Sequence, residues 1–179
     1  MIRKITIYSI LFICISCKSE FQVIETPTNY STVIKNHKIE GVIFLKNADC
    51  FLCLGNKKRF SPTLTDIQKA ETILKQNIKK ENNPLINQGD NCPVIHKNLA
   101  NYRRQYFGYV DENGNKIIYI TFYWNKYTIL DRLKEYEKVA NDTWKTEKSM
   151  VLDGCSHYWE ININLDKQEL FGLGINGSA

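Results

Sequence analysis

The segment 103–124, RRQYFGYVDENGNKIIYITFYW, restricts the fold of this chain more than any other stretch. Asn113-Gly114 at its centre is the strongest short-range signal for a β-hairpin, because the tightest hairpin turns need positive φ at both central positions. A two-residue turn there pairs Asp111 with Lys116 and sets the register of everything behind it. The segment therefore predicts two long antiparallel strands with at least one face to be covered.

In this register the hairpin has two different faces. The predicted core face is apolar and consists of Phe107, Tyr109, Ile118, Ile120, Phe122 and Trp124. The opposite face carries Arg104, Tyr106, Tyr119, Thr121 and Tyr123. Arg and Tyr are enriched at recognition interfaces, so Arg104, Tyr106, Tyr119 and Tyr123 form the candidate binding surface. The alternative is that Tyr and Thr simply favour exposed strands, or that a second helix covers this face.

Residues 64–80 predict the main helix. Their apolar side chains recur at three- and four-residue spacing: Leu64, Ile67, Ala70, Leu74 and Ile78. The preceding stretch 63–66, TLTD, is a capping-box variant, and the helix should end before Pro84. A second, shorter helix is predicted to begin at Thr128 and to extend to about Ala140.

Further strands are predicted on both sides of these elements. IEGVIFL (39–45) is a short apolar run, and WEININL (159–165) alternates apolar and polar residues before a turn at Asp166-Lys167. The predicted fold class is α+β, with an amphipathic helix packed on a mainly antiparallel sheet built from hairpins. The closing hairpin resembles the strand–turn–strand of PepSY and cystatin-like domains, over about a quarter of the chain.

Residues 1–16 have the proportions of a secretory signal. Arg3 and Lys4 precede an apolar stretch, 5–15, that is too short to span a bilayer. CISC (14–17), at the end of this segment and the residue after it, resembles the bacterial lipoprotein box, and this resemblance implies that Cys17 carries a diacylglycerol as the first residue of the mature chain. The alternatives are an ordinary secreted protein cut at this point and a buried N-terminal strand.

The predicted organisation is a signal peptide (1–16), a lipidated polar tether (17–38) and a single domain (39–179). Lys18-Ser19-Glu20 loosely resembles the tag that directs Bacteroidota-type lipoproteins to the outer face of the outer membrane. The whole chain is similar to small uncharacterised lipoproteins of Bacteroidota. This resemblance implies an extracytoplasmic, membrane-anchored protein and carries over no catalytic residue.

The remaining cysteines are Cys50, Cys53, Cys92 and Cys155. An even number in an exported protein predicts two disulfides, with three possible connectivities. The CFLC motif at 50–53 is also compatible with a redox dithiol. Such a pair gains reactivity at a helix N-terminus, however, and the predicted helix begins well beyond it.

Two other clusters have the residue types of a reactive site. One has zinc-site spacing and consists of Cys50, Cys53, Cys92 and His96. The other is DGCSH (153–157), although catalytic groups usually converge from distant segments of a chain. An oxidising compartment disfavours the zinc set, so the sequence assigns no catalytic residue, metal or cofactor.

The distribution of charge along the chain restricts the class of binding partner. The net charge of +5 is scattered along the chain, whereas nucleic-acid binders concentrate positive charge on one face. We therefore expect a non-enzymatic binding module for a peptide, protein or glycan, of inhibitor or immunity type, tethered to a membrane. The alternative function is an exported thiol- or metal-dependent enzyme using Cys50, Cys53 and a histidine.

Overall fold

The computed structural model describes residues 20–50, 54–126, 142–148, 151 and 153–177. Within these residues an eight-stranded sheet is covered by one α-helix, which confirms the α+β class. The strands are β1 (Gln22–Thr28), β2 (Ser31–Lys35), β3 (Glu40–Phe44), β4 (Lys58–Phe60), β5 (Tyr102–Val110), β6 (Lys116–Trp124), β7 (Tyr158–Asn164) and β8 (Glu169–Ile175). The helix is α1 (Leu64–Glu81). The predicted second helix, 128–140, lies outside the described residues.

The sheet is mostly antiparallel. Its order is β1-β2-β3-β5-β6-β7-β8, and β4 pairs with the far end of β5. Among the described strands, only β3 and β5 run parallel. Because a parallel connection needs a crossover, α1 lies between β3 and β5 in sequence and packs on one face of the sheet.

The helix begins and ends where the sequence predicts. Thr63 and Asp66 form a reciprocal capping box: Asp66 N donates to Thr63 Oγ1 at 3.1 Å, and Thr63 N donates to Asp66 Oδ2 at 2.9 Å. Lys79 and Lys80 occupy the last turn, where positive charge is favoured. The apolar stripe of α1 packs against the sheet through Ile67, Ala70, Ile73, Leu74 and Ile78, all buried.

The central hairpin is confirmed, but its predicted register is wrong by one residue. The turn is a five-residue loop, 111–115, in which Asp111 Oδ1 accepts from the backbone N–H groups of Asn113 and Asn115 at 2.9 and 2.8 Å. Gly114 has φ of +86°, and Asn113 does not adopt positive φ. The Asp111 side chain therefore selects a longer turn than Asn-Gly alone would, and Val110 pairs with Lys116.

The slip exchanges the two faces of β5 and leaves those of β6 as predicted. Arg104 pairs with Phe122 and Tyr106 with Ile120, so both side chains from β5 face α1. Phe107 and Tyr109, predicted to face the helix, lie on the opposite face instead. The helix side of β6 consists of Ile118, Ile120, Phe122 and Trp124, as expected.

Both faces of the central strands are buried. The main core lies under α1. A second core lies on the other face, where loop residues cover the central strands; its members are Val33, Val42, Phe44, Ala48, Cys50, Leu54, Phe107, Tyr109, Ile117, Tyr119 and Trp144. The short segment 142–148 is held across this face by Gln105, whose Nε2 donates to the backbone oxygens of Trp144 and Glu147 at 2.7 and 2.6 Å.

The predicted tether, 17–38, is wrong for most of its length. Residues 22–28 and 31–35 form the first two strands, which join the domain through β3. Val33 and Ile34 are fully buried, one in each core. The sequence pattern was misleading because β1 is exposed and mostly polar apart from Val23 and Ile24, while β2 contributes only a short pair of buried apolar residues.

Candidate functional site

The predicted binding surface is divided between the two faces of the sheet. Arg104 and Tyr106 are 1% and 0% exposed in the main core, so their assignment to an exposed face is wrong. Tyr119 and Tyr123 do lie on the opposite face. Tyr119 is buried there by the second core and Tyr123 is half-buried, so one of the four side chains is accessible.

Under α1, Arg104 and Tyr106 belong to a buried polar network. Arg104 Nε lies 2.8 Å from Glu71 Oε1 as an ion pair, and Tyr106 Oη donates to the same oxygen at 2.8 Å. The Arg104 guanidinium also donates to the backbone oxygens of Tyr102 and Leu99 at 2.7 and 3.0 Å. Burial raises the pKa of Tyr106, and the Glu71 charge raises it further. This network connects α1 to the sheet and is closed to solvent.

The second face contains a different polar cluster, built around Tyr119. Its hydroxyl donates to Glu160 Oε2, and Lys148 Nζ donates to Tyr119 Oη at 3.2 Å. Burial raises the pKa of Tyr119, and the hydrogen bond and negative charge of Glu160 add to this effect. Burial lowers the pKa of Lys148, which the Glu160 charge opposes. Tyr119 therefore stays protonated as a fixed donor to a carboxylate whose residue is exposed.

Beside this cluster, Tyr123 and Tyr158 form a half-buried aromatic pair. Their ring centroids are 6.1 Å apart at an interplanar angle of 70°, an edge-to-face arrangement. Tyr123 Oη also donates to Gln105 Oε1 at 2.6 Å, which fixes the ring. This rigid aromatic pair therefore lies next to Glu160, which follows Tyr158 on the same face of β7.

The neighbouring strand β8 leaves space for the side chains of β7. A Cβ at Gly174 would come within 3.1 Å of Glu160 Cγ, and one at Gly172 within 3.1 Å of Asn162 Nδ2. Glycine at these positions lets Glu160 and Asn162 lie against β8. We call the set Tyr123, Tyr158, Glu160 and Asn162 the β6–β7 polar surface.

Sequence reasoning missed three members of this surface, although the alternation of β7 contained the signal. The same pattern that assigns Trp159, Ile161 and Ile163 to the core assigns Tyr158, Glu160 and Asn162 to the other face. What the pattern could not supply was the pairing of Tyr123 with Tyr158 across β6 and β7.

The cysteine predictions have a mixed outcome. Cys92 and Cys155 form a disulfide with an S–S distance of 2.08 Å, and Cys50 is also disulfide-bonded. Cys53 and the proposed lipidation site Cys17 lie outside the described residues. The Cys92–Cys155 bond joins the loop after α1 to the start of β7.

The Cys92–Cys155 disulfide removes one thiol from each of the two predicted reactive clusters. Cys92 is bonded to Cys155, so it supplies no thiolate to the zinc set, and His96 Nδ1 lies 3.2 Å from Asn82 Nδ2. His157 Nδ1 is 3.4 Å from Cys155 Sγ, and both residues lie in the 3₁₀ turn Cys155–His157. Cys92, Cys155 and His157 form a close group whose two sulfurs are already joined to each other.

No protein-family model, curated protein or solved structure matches this chain. Within the described residues, no helix has the length and apolarity needed to cross a membrane.

Proposed function

We propose that this chain is an exported lipoprotein whose domain binds a peptide, protein or glycan and performs no chemistry on it. The observation that carries the proposal is the β6–β7 polar surface, where a rigid tyrosine pair and an exposed Glu160 adjoin a strand that presents glycines. An inhibitor or immunity-type role, and a cystatin- or PepSY-like fold, belong to the same proposal.

The chemistry of this surface suits ligands with both donors and acceptors. The Glu160 carboxylate accepts hydrogen bonds, and the Asn162 amide, whose Oδ1 already accepts from Tyr109 Oη at 3.1 Å, offers its N–H donors. Peptide groups and sugar hydroxyls need such mixed partners, and the rings of Tyr123 and Tyr158 supply apolar contact beside them. Because Tyr119 and Gln105 hold Glu160 and Tyr123, binding would order few side chains and lose little entropy.

Two observations support export with a lipid anchor. Disulfides persist in oxidising compartments outside the cytoplasm, which agrees with export of the chain. The CISC motif places Cys17 directly after an apolar stretch of signal-peptide length. A diacylglycerol and a further acyl chain on one cysteine would together give stable membrane attachment.

The disulfide state of Cys50 favours the binding module over the thiol or metal enzyme, because that alternative uses Cys50. A nucleophilic or metal-binding cysteine acts as a thiolate, and Cys50, Cys92 and Cys155 supply none while their disulfides are intact. The network around Arg104 and Glu71 is charged but has no access to a substrate.

The anchor is tested by Cys17→Ser in the producing cell. We expect this variant to lose incorporation of labelled fatty acid and to leave the membrane fraction. Glu169→Gln, an exposed substitution that leaves the lipid site and the disulfides intact, should keep both properties. Fatty-acid labelling that persists in Cys17→Ser would contradict the anchor.

The binding surface is tested by screening the mature chain against glycan and peptide arrays, with Glu160→Gln and Tyr158→Ala as variants. We expect at least a tenfold loss of affinity for any captured ligand, with a nearly unchanged melting temperature. Glu169→Gln is the matched control, because Glu169 is an exposed glutamate on the adjacent strand. Equal binding by the wild type and both surface variants would exclude this surface.

A further inference from the structure

Edge strand β1 is unusual because the side chains of its first five residues, Gln22 to Thr26, are exposed on both faces of the strand. A normal edge strand buries alternate side chains. Val23 and Ile24 are 53% and 52% exposed, although both are aliphatic. An uncovered apolar pair on a free sheet edge indicates that another surface covers it.

The length of chain between β1 and Cys17 identifies that surface, on the basis of the lipid anchor proposed above. Gln22 is five residues beyond Cys17, so even a fully extended chain places them at most about 18 Å apart. A domain of this size is roughly 40 Å across. A lipid on Cys17 therefore keeps β1 close to the bilayer and most of the domain farther away.

The charges near β1 are compatible with an anionic lipid surface. Lys35 lies directly opposite Gln22 on β2, and Lys38 follows in the turn to β3; both are exposed. The acidic residue of the strand, Glu25, is compensated by Lys145, whose Nζ lies 2.8 Å from Glu25 Oε2. Lysines beside exposed aliphatic residues are the usual composition of a peripheral membrane contact.

We propose that β1 is a membrane-contact strand, with Val23 and Ile24 in the headgroup region of the bilayer that holds the anchor. The short link and the apolar pair then act together: the lipid provides attachment, and β1 sets the orientation of the domain. In this orientation β8, at the opposite edge of the sheet, and the β7–β8 side of the polar surface lie away from the membrane.

The test uses the full lipidated protein in vesicles of phosphatidylethanolamine and phosphatidylglycerol with brominated acyl chains, which quench nearby tryptophan. Ile24→Trp should be quenched at least twofold more than the wild type with its three native tryptophans. Phe171→Trp is the matched control, since Phe171 is 42% exposed on β8, and should show no added quenching. Mass spectrometry of each sample establishes whether Cys17 carries the lipid.

Each other outcome overturns the proposal for a different reason. If Cys17 is lipidated and the protein sediments with vesicles, but Ile24→Trp and Phe171→Trp are quenched equally, β1 does not contact the bilayer and the anchor still stands. If Cys17 carries no lipid, the anchor and this inference fail together. If Ile24→Trp is already shielded from aqueous quenchers in detergent and the protein has a dimer mass, a second copy covers β1.

Discussion

Glu71 on α1 and Arg104 on β5 form an ion pair in the main core, with 2.8 Å between Glu71 Oε1 and Arg104 Nε and side chains that are 9% and 1% exposed. Tyr106 donates to the same carboxylate oxygen. Two charges removed from water depend on each other, because loss of either one leaves the other buried without compensation. The pair therefore fixes which face of β5 lies under α1.

Glu71→Ala should lower the free energy of unfolding by about 3–5 kcal/mol, since it leaves the Arg104 guanidinium uncompensated. Urea denaturation of the two proteins measures the difference. Glu81→Ala, at an exposed position of the same helix, should change stability by less than about 0.5 kcal/mol. Equal effects of the two substitutions would contradict the buried ion pair.

Phe122→Ala should cost about 3–5 kcal/mol by leaving a cavity under α1. Phe122 is 1% exposed and stacks on Trp159 with 3.6 Å between ring centroids. Tyr123→Ala, on the opposite face and half-buried, should cost less than half of that. Thermal denaturation of the pair measures the ratio. A larger loss in Tyr123→Ala would mean that the faces of β6 are reversed.

Removal of the Cys92–Cys155 disulfide should destabilise the domain by about 4 kcal/mol, given the sequence separation of 63 residues. Urea denaturation of the double variant Cys92→Ser/Cys155→Ser measures this loss. Peptide mapping of the native protein should recover the peptide that links Cys92 to Cys155. Isolation of Cys92 linked to a different cysteine would refute the pairing.

Alkaline pH should unfold the protein through its buried tyrosines. Burial raises the pKa of Tyr102, Tyr106, Tyr109 and Tyr119, so folding favours their neutral forms. Their contribution to stability is complete below about pH 10, the pKa of an unfolded tyrosine, and declines as pH rises through the folded-state values. Tyrosinate absorbance and circular dichroism should then change together.

In Tyr119→Phe, the decline of stability above pH 10 should be shallower than in the wild type, because one coupled ionisation is gone. Tyr30→Phe is the control, since that tyrosine is half-exposed. Independent ionisation of Tyr102, Tyr106, Tyr109 and Tyr119 near pH 10 in a folded protein would refute their burial.

Short-range sequence patterns predicted several helices and strands and some of the residues at which they begin and end. The capping box at Thr63 and the apolar stripe that follows gave α1 almost residue for residue. Alternation in WEININ gave the faces of β7, and the turn at Asp166-Lys167 joined it to β8. These signals are short-range, because each depends on residues within a few positions of one another.

The candidate site was harder to predict from the sequence than the helices and strands were. Tyr123 was correctly placed on the face away from α1, while Arg104 and Tyr106 were placed on the wrong side of the sheet. The error came from one feature: Asp111 bonds to Asn113 and Asn115 and lengthens the turn. A one-residue change at a turn moves every side chain of the paired strand to the opposite face of the sheet. An error in the predicted turn length therefore gave wrong faces for all of β5.

The sequence by itself thus determined the segments that form α1, β3, β5, β6 and β7, and it determined the polar and apolar sides of α1, β6 and β7. Only the tertiary structure decided that residues 22–35 join the sheet, that Cys92 pairs with Cys155, and that Tyr158 and Glu160 lie beside Tyr123. The physical reason is that strand pairing and disulfide choice depend on contacts between distant residues. Their free energies depend on the whole packed core, which no local pattern contains.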